Sequence, residues 1–271
     1  MMDPHTSAKD ASLLGSNEPP AVETVNAGGT SNAVLVCDHA SHRVPERLGT
    51  LGLERVLLAD HIGWDPGAAA VARRLSAHLD APLVLSGYSR LVIDCNRALH
   101  NAQSIVECSS GVPIPGNHGL ASEERTARID SLFRPYHAAI ARLLDGRSHR
   151  PTHLLSIHSF TPILSGQRRP WHIGVSYWRD RRLATVLRGA LSRTGGFAIG
   201  DNEPYPIEDD IDYTIPLHGE GRGLPCAMLE VRQDEIRTAA GAAAWAARLA
   251  EAYQLIEVEV PGAMGPSGTA Q

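Results

Sequence analysis

The feature that most constrains this chain is an apolar run that stops abruptly on a cluster of polar groups. Ala33-Val-Leu-Val-Cys37 is short, apolar and β-branched at Val34 and Val36, the pattern of a buried strand. Asp38, His39, Ser41 and His42 follow at once. A strand ending in acidic and imidazole groups marks the carboxyl edge of an open α/β sheet, where such folds bind ligands. The design recurs. His153-Leu-Leu-Ser-Ile-His-Ser-Phe160 reads as a strand with His158 at its end, and Cys226-Ala-Met-Leu-Glu-Val-Arg-Gln233 places Glu230 within or just after an apolar run. Two imidazoles and a carboxylate, each at a strand end, are the parts of a mononuclear zinc hydrolase.

Around these strands the chain alternates helix and strand signals. Residues 1–31 are rich in Ser, Pro, Gly, Asn and Asp and read as a mobile tail that orders only near Ala21 to Thr24. Asp65-Pro66 has the form of an N-cap followed by a first-turn proline, opening a helix to about Leu79. Leu83–Ser86 and Arg90–Arg97 read as strands, and 98–121 as a long loop. A helix from Ser122 to about Asp145 is expected, kinked at Pro135. Trp171–Trp178 reads as a strand, 181–193 as a helix, and 234–256 as a final Ala-rich helix. The alternation predicts a single three-layer αβα domain over 32–258 with a mainly parallel sheet, then a tail over 259–271.

Composition narrows the function classes. With 43% hydrophobic and 20% charged residues the chain is that of a soluble globular protein, and its net charge of −5 gives no basic footprint for nucleic acid. No window is long and apolar enough for a membrane span, and the N-terminus lacks the apolar stretch of a secretory leader. Cys37, Cys95, Cys108 and Cys226 have no CxxC spacing and read as reduced thiols of a cytoplasmic protein.

The residues then sort by chemistry. A lone histidine at a strand end is more simply a structural residue; two at matching ends, His39 and His158, favour a metal. The third ligand stays open between His42, three residues after His39, and Asp60, which would supply a carboxylate. Glu230 stands among Ala227, Met228, Leu229 and Val231, where a carboxylate needs a partner or a purpose, and is the candidate general base. Arg90 and Arg97 offer planar forks for an anionic substrate or for Asp94, with Asn96 as a neutral donor. His218, before Gly219-Glu-Gly-Arg-Gly223, is a candidate oxyanion donor alongside Arg90. That glycine-rich run lacks the Lys-Ser/Thr of a phosphate loop, and no G-x-S-x-G elbow surrounds Ser41, Ser156 or Ser159.

The blocks Val34-Leu-Val-Cys-Asp-His-Ala-Ser-His-Arg-Val-Pro45, His61-Ile-Gly-Trp-Asp-Pro-Gly-Ala68, Ser89-Arg-Leu-Val-Ile-Asp-Cys-Asn-Arg97, Ser156-Ile-His-Ser159 and Leu229-Glu-Val-Arg-Gln-Asp234 resemble, in this order, the N-formylglutamate amidohydrolase family. The resemblance spans roughly residues 33 to 255. It implies a fold like that of zinc carboxypeptidases and aspartoacylases, with a mixed eight-stranded sheet. It also implies zinc-dependent hydrolysis of an N-acyl amino acid, N-formyl-L-glutamate giving formate and glutamate. His39 and His158 match the metal histidines, Glu230 the general base, and Asn96 and Arg97 a clamp for the substrate carboxylate. Carboxypeptidases carry a ligand glutamate three residues after the first histidine, where this chain has His42; Asp-His-Ala-Ser replaces the Pro-His-Ser-Gly of the histidine-degradation enzymes. The expected cofactor is one Zn²⁺ per chain and the expected partner a small anionic N-acyl amino acid, with no nucleic acid or membrane and with homo-oligomerisation left open. The alternatives are a deacylase or carboxypeptidase on another N-acyl amino acid or small peptide, and a non-catalytic carboxylate-binding protein.

Overall fold

The computed structural model describes residues 12–259. Seven strands form one sheet: β1 (Val22–Val25), β2 (Ala33–Cys37), β3 (Leu83–Ser86), β4 (His153–Phe160), β5 (Ile173–Ser176), β6 (Ile199–Asp201) and β7 (Cys226–Arg232), in the order β1-β3-β2-β4-β7-β5-β6. β3, β2, β4 and β7 run parallel. β1 is antiparallel at one edge, and β5 with β6 runs against β7 at the other. The sheet is therefore mixed and mostly parallel, as the family resemblance implies, and has seven strands among the described residues rather than eight.

Period-two alternation divides the core between the faces. Ala33, Leu35 and Cys37 join Leu155, Ile157, Ala227 and Leu229 in one cluster. It is covered by α1 (Ala68–Leu79), α3 (Arg182–Thr194) and α4 (Ala239–Glu259), whose Val71, Leu187 and Trp245 are buried there. Val34, Val36, Leu154, Cys226 and Met228 face the other way, against Tyr136, Ile140 and Leu144 of α2 (Arg134–Asp145). α2 continues Ser122–Arg128 through a π turn at Ile129–Phe133, which ends two residues before Pro135, where the proline cannot donate to the helix ladder.

A third cluster, including Leu51, Tyr88, Leu91, Val92, Ile93, Ile114 and Phe133, lies beneath the loops. It explains why 90–97 is not the strand that its apolar run suggests. Leu91, Val92 and Ile93 are all buried in it, and the backbone turns on itself: Val92 N donates to Ser89 O, and Arg97 N to Asp94 O. Only Arg97 makes a bridge, to Asp212. Of the expected N-terminal tail, Leu13 is buried and β1 pairs with β3, so this part belongs to the domain; residues 1–11 and 260–271 lie outside the described residues. No helix among the described residues is long and apolar enough to cross a membrane.

β2 sends the chain to β3 on one side and borders β4 on the other. This is the topological switch point of the parallel block, where such sheets leave a crevice at their carboxyl ends. His39 leaves β2 there, and His158 lies near the end of β4.

Candidate metal centre and substrate cavity

Register brings the first two groups together. Glu230 of β7 is the in-register partner of His158 on β4, so both side chains leave the same face on adjacent strands. His39 approaches from the other side, its ring centroid 4.9 Å from that of His158. Asp65 completes the cluster. Its Oδ2 lies 2.9 Å from His158 Nδ1 and 3.4 Å from His39 Nδ1, and accepts from Ser159 N at 3.2 Å. One donor atom from each of His39, Asp65 and His158 falls within 4.8 Å of the others, and all three residues are buried. His39 Nδ1 makes no hydrogen bond among the described residues.

The outer nitrogen of each imidazole is held by a second buried carboxylate. His39 Nε2 meets Asp94 Oδ1 at 2.7 Å, and His158 Nε2 meets Asp38 Oδ2 at 2.8 Å. Asp38 in turn accepts from Ser156 Oγ at 2.7 Å and Thr214 Oγ1 at 2.5 Å. Such carboxylate–histidine pairs fix the ring orientation and leave Nδ1 free as a ligand. Burial alone would raise Asp38 and Asp65, but the histidines outweigh it and hold both carboxyls well below their usual range. Burial would likewise lower His39 and His158; the surrounding carboxylates reverse this and raise both. The arrangement therefore favours positive charge between the two Nδ1 atoms and Asp65, and two nitrogens with one carboxylate oxygen suit a borderline divalent cation such as Zn²⁺.

Glu230 is 5% exposed, and its Oε2 has no hydrogen-bond partner among the described residues. Burial pushes its carboxyl up to about 7, with Asp65 adding to the rise and His158, His39 and Arg90 opposing it. These groups border a cavity of about 540 Å³, within the usual range for small-molecule sites. Arg90, Asn96 and Arg97 also line it. Arg90 Nη2 donates to Asp94 Oδ2 at 2.8 Å, and its Nη1 is 3.6 Å from Asp65 Oδ1. Asn96 ties the site's loops together. Its Oδ1 accepts from Tyr213 N and Thr214 N, and its Nδ2 donates to Asp212 Oδ1 at 3.0 Å. Arg97 Nη1 donates to the same Asp212 oxygen at 2.9 Å.

Three candidates fall elsewhere. Asp60 is exposed and pairs with its neighbour His61, accepting from His61 N at 2.7 Å. The chain turns tightly at Gly63, where a Cβ would sit 2.1 Å from Leu58 O. That turn carries Asp65, not Asp60, into the site. His42 is exposed against Trp64, ring centroids 4.9 Å apart. His218 lies in a π turn (Ile215–Gly219) and packs beside α2 rather than lining the cavity. Its Nε2 is 3.0 Å from His137 Nδ1, while His137 Nε2 is 2.8 Å from Cys95 O. A carbonyl can only accept, so His137 is protonated on Nε2 and His218 donates from Nε2.

Asp65 is hard to find from sequence because an Asp-Pro at a helix start already has a local explanation. Its carbonyl does accept from Ala68 N, but its carboxylate serves the cluster. The signal available was its place in the His61–Ala68 block.

The buried His39/Asp65/His158 cluster sits at the carboxyl ends of the parallel strands, with Glu230 on the strand beside that of His158. The model of the N-formylglutamate amidohydrolase family matches residues 31–237, and the chain belongs to that family. The crystal structure of gene product Atu2144 from Agrobacterium tumefaciens is 36% identical, with a TM-score of 0.88 over 91% of this chain and 99% of that one. N-formylglutamate amidohydrolase from Ralstonia eutropha JMP134 shares the fold at 18% identity, with a TM-score of 0.65 over 89% of this chain and 99% of that one. No curated protein matches the sequence. Family and fold support a hydrolase that acts on amide bonds.

Proposed function

We propose that this protein is a metal-dependent amidohydrolase that cleaves the N-acyl amide of an amino acid, with N-formyl-L-glutamate, named by its family, as the reference substrate. The observation that carries the reading is the buried His39–Asp65–His158 cluster, with both outer imidazole nitrogens held by carboxylates and the unpartnered Glu230 beside it. A divalent cation, Zn²⁺ by donor set, held by His39, Asp65 and His158 would supply Lewis acidity toward the acyl carbonyl and acidify water.

Glu230 is the general base. Buried beside the cluster with Oε2 unpartnered among the described residues, it accepts a proton from the attacking water and passes it to the amide nitrogen. Water adds to the acyl carbon, the C–N bond breaks, and the products are the acyl carboxylate and the free amino acid. Arg97 takes the substrate's carboxylate through Nη2. Arg90 offsets the charge of Asp94 and Asp65, and so keeps the ligand set compact. The test is formate release from N-formyl amino acids by the Zn²⁺-loaded protein and by Glu230→Gln. The expected result is turnover by the parent and a loss of at least about a hundredfold in kcat for the variant, with bound metal unchanged. Equal turnover by the variant would overturn the role of Glu230.

A further inference from the structure

Charge is unequally distributed over the cavity wall. Among the described residues Arg90 and Arg97 are the only arginines lining it, and both guanidinium groups are engaged. Arg90 lies against Asp94 and Asp65. Arg97 Nη1 donates to Asp212 and to Asn96 O, which leaves the Nη2 edge for one incoming carboxylate. Glu208 lines the same wall, is exposed, and has no cationic partner among the described residues. Its neighbours differ: Asp209 pairs with Arg179, and Asp210 lies 3.8 Å from His100.

Glu208 is also held in place. Its N–H donates to Asp212 Oδ2 at 3.0 Å, and its carbonyl accepts from Asp212 N at 3.0 Å. This ties it to the carboxylate that already occupies Arg97. The remaining outer wall mixes apolar Leu164 and Ile211 with neutral polar groups, Gln103, Ser110 and Gln233 among them.

We infer that the substrate is an N-acyl amino acid with a single carboxylate and a neutral or basic side chain, and that Glu208 is the residue that rejects a second carboxylate. This rests on the amidohydrolase reading above. The α-carboxylate takes the open edge of Arg97. A second carboxylate, as in an N-acylglutamate, would meet Glu208 and Asp212 with no further arginine on the wall to neutralise it, and like charges brought together oppose binding. A lysine or arginine side chain would instead place its cation against Glu208.

The experiment compares kcat/KM of the Zn²⁺-loaded protein for N-formyl-L-glutamate, N-formyl-L-glutamine and N-formyl-L-lysine, beside Glu208→Gln. Glutamine and lysine derivatives should exceed the glutamate derivative by at least about tenfold. Glu208→Gln should narrow the lysine-to-glutamate ratio several-fold, and added salt should narrow it in the parent. A preference for the glutamate derivative, or a ratio unmoved by Glu208→Gln, overturns the inference. Calorimetric binding of free glutamate, glutamine and lysine to the same protein reads the selectivity without turnover. Silence of all three substrates in the assay would therefore refute the hydrolase reading, while the binding order still decides the selectivity.

Discussion

The buried His137–His218 pair makes the protein sensitive to acid in a way that can be calculated. Burial depresses His137 from 6.5 to about 4 and His218 from 6.5 to about 3; for His218 the charge of His137 adds to the effect. As pH falls below 6.5 the unfolded chain takes up protons that the folded pair refuses. Stability from the pair is therefore full above 6.5 and is lost as pH falls toward the folded values. At pH 5 each histidine has removed about 2 kcal/mol, or about 4 kcal/mol together, relative to pH 7.5. The other titrating groups, those of the His39–Asp65–His158 cluster included, shift stability with pH as well, so a single profile does not isolate the pair. The double variant His137→Leu/His218→Leu does. It leaves Cys95 O without its donor, which costs about 1–3 kcal/mol independent of pH, but it removes the titration. Urea unfolding of both proteins at matched metal loading, at pH 7.5, 6.5, 5.5 and 5, gives the difference directly. The parent should lose about 4 kcal/mol more than the variant between pH 7.5 and 5. Parallel pH dependences would refute the assignment of a neutral, proton-refusing pair.

Other consequences follow from single groups. Arg128, 1% exposed, donates to Val92 O, Asn117 Oδ1 and Gly116 O and so ties the Ser122–Arg128 helix to the loops beneath. Arg128→Met should cost about 3–5 kcal/mol in urea unfolding, and a loss under about 1 kcal/mol would show that the loops hold without it. Asp38→Asn and Asp94→Asn should each weaken metal binding by about 10- to 100-fold in competition with a chromogenic chelator; unchanged affinity in both would show that the carboxylate–histidine pairs do not support the metal.

Much of this architecture was legible in the sequence, because β2, β4 and β7 are short apolar runs with polar ends and are buried throughout. The same patterning exposed His39, His158 and Glu230, since a polar group within an apolar run has few structural reasons to be there. The remainder was hidden by competing local explanations. Asp65 looked like a helix cap. The 90–97 segment looked like a strand because its buried residues serve a loop-covered cluster rather than the sheet. His42 and Asp60 had the right chemistry, but only the turn at Gly63 decides which carboxylate faces inward. His218 matched a candidate oxyanion donor by type, yet its partner is His137, eighty-one residues earlier in the chain. Asn96 and Arg97, which the family resemblance implies as a clamp for the substrate carboxylate, line the cavity, and Asp212, a long-range neighbour, takes part of both.

The most direct test of the central claim is the zinc content of the purified protein, measured for the parent, Asp65→Ala, Asp60→Ala and His42→Ala. The account predicts about one zinc per chain in the parent, retained in Asp60→Ala and His42→Ala and lost in Asp65→Ala with the fold intact by circular dichroism. Zinc kept by Asp65→Ala, or lost from Asp60→Ala or His42→Ala, would contradict a site built from His39, Asp65 and His158.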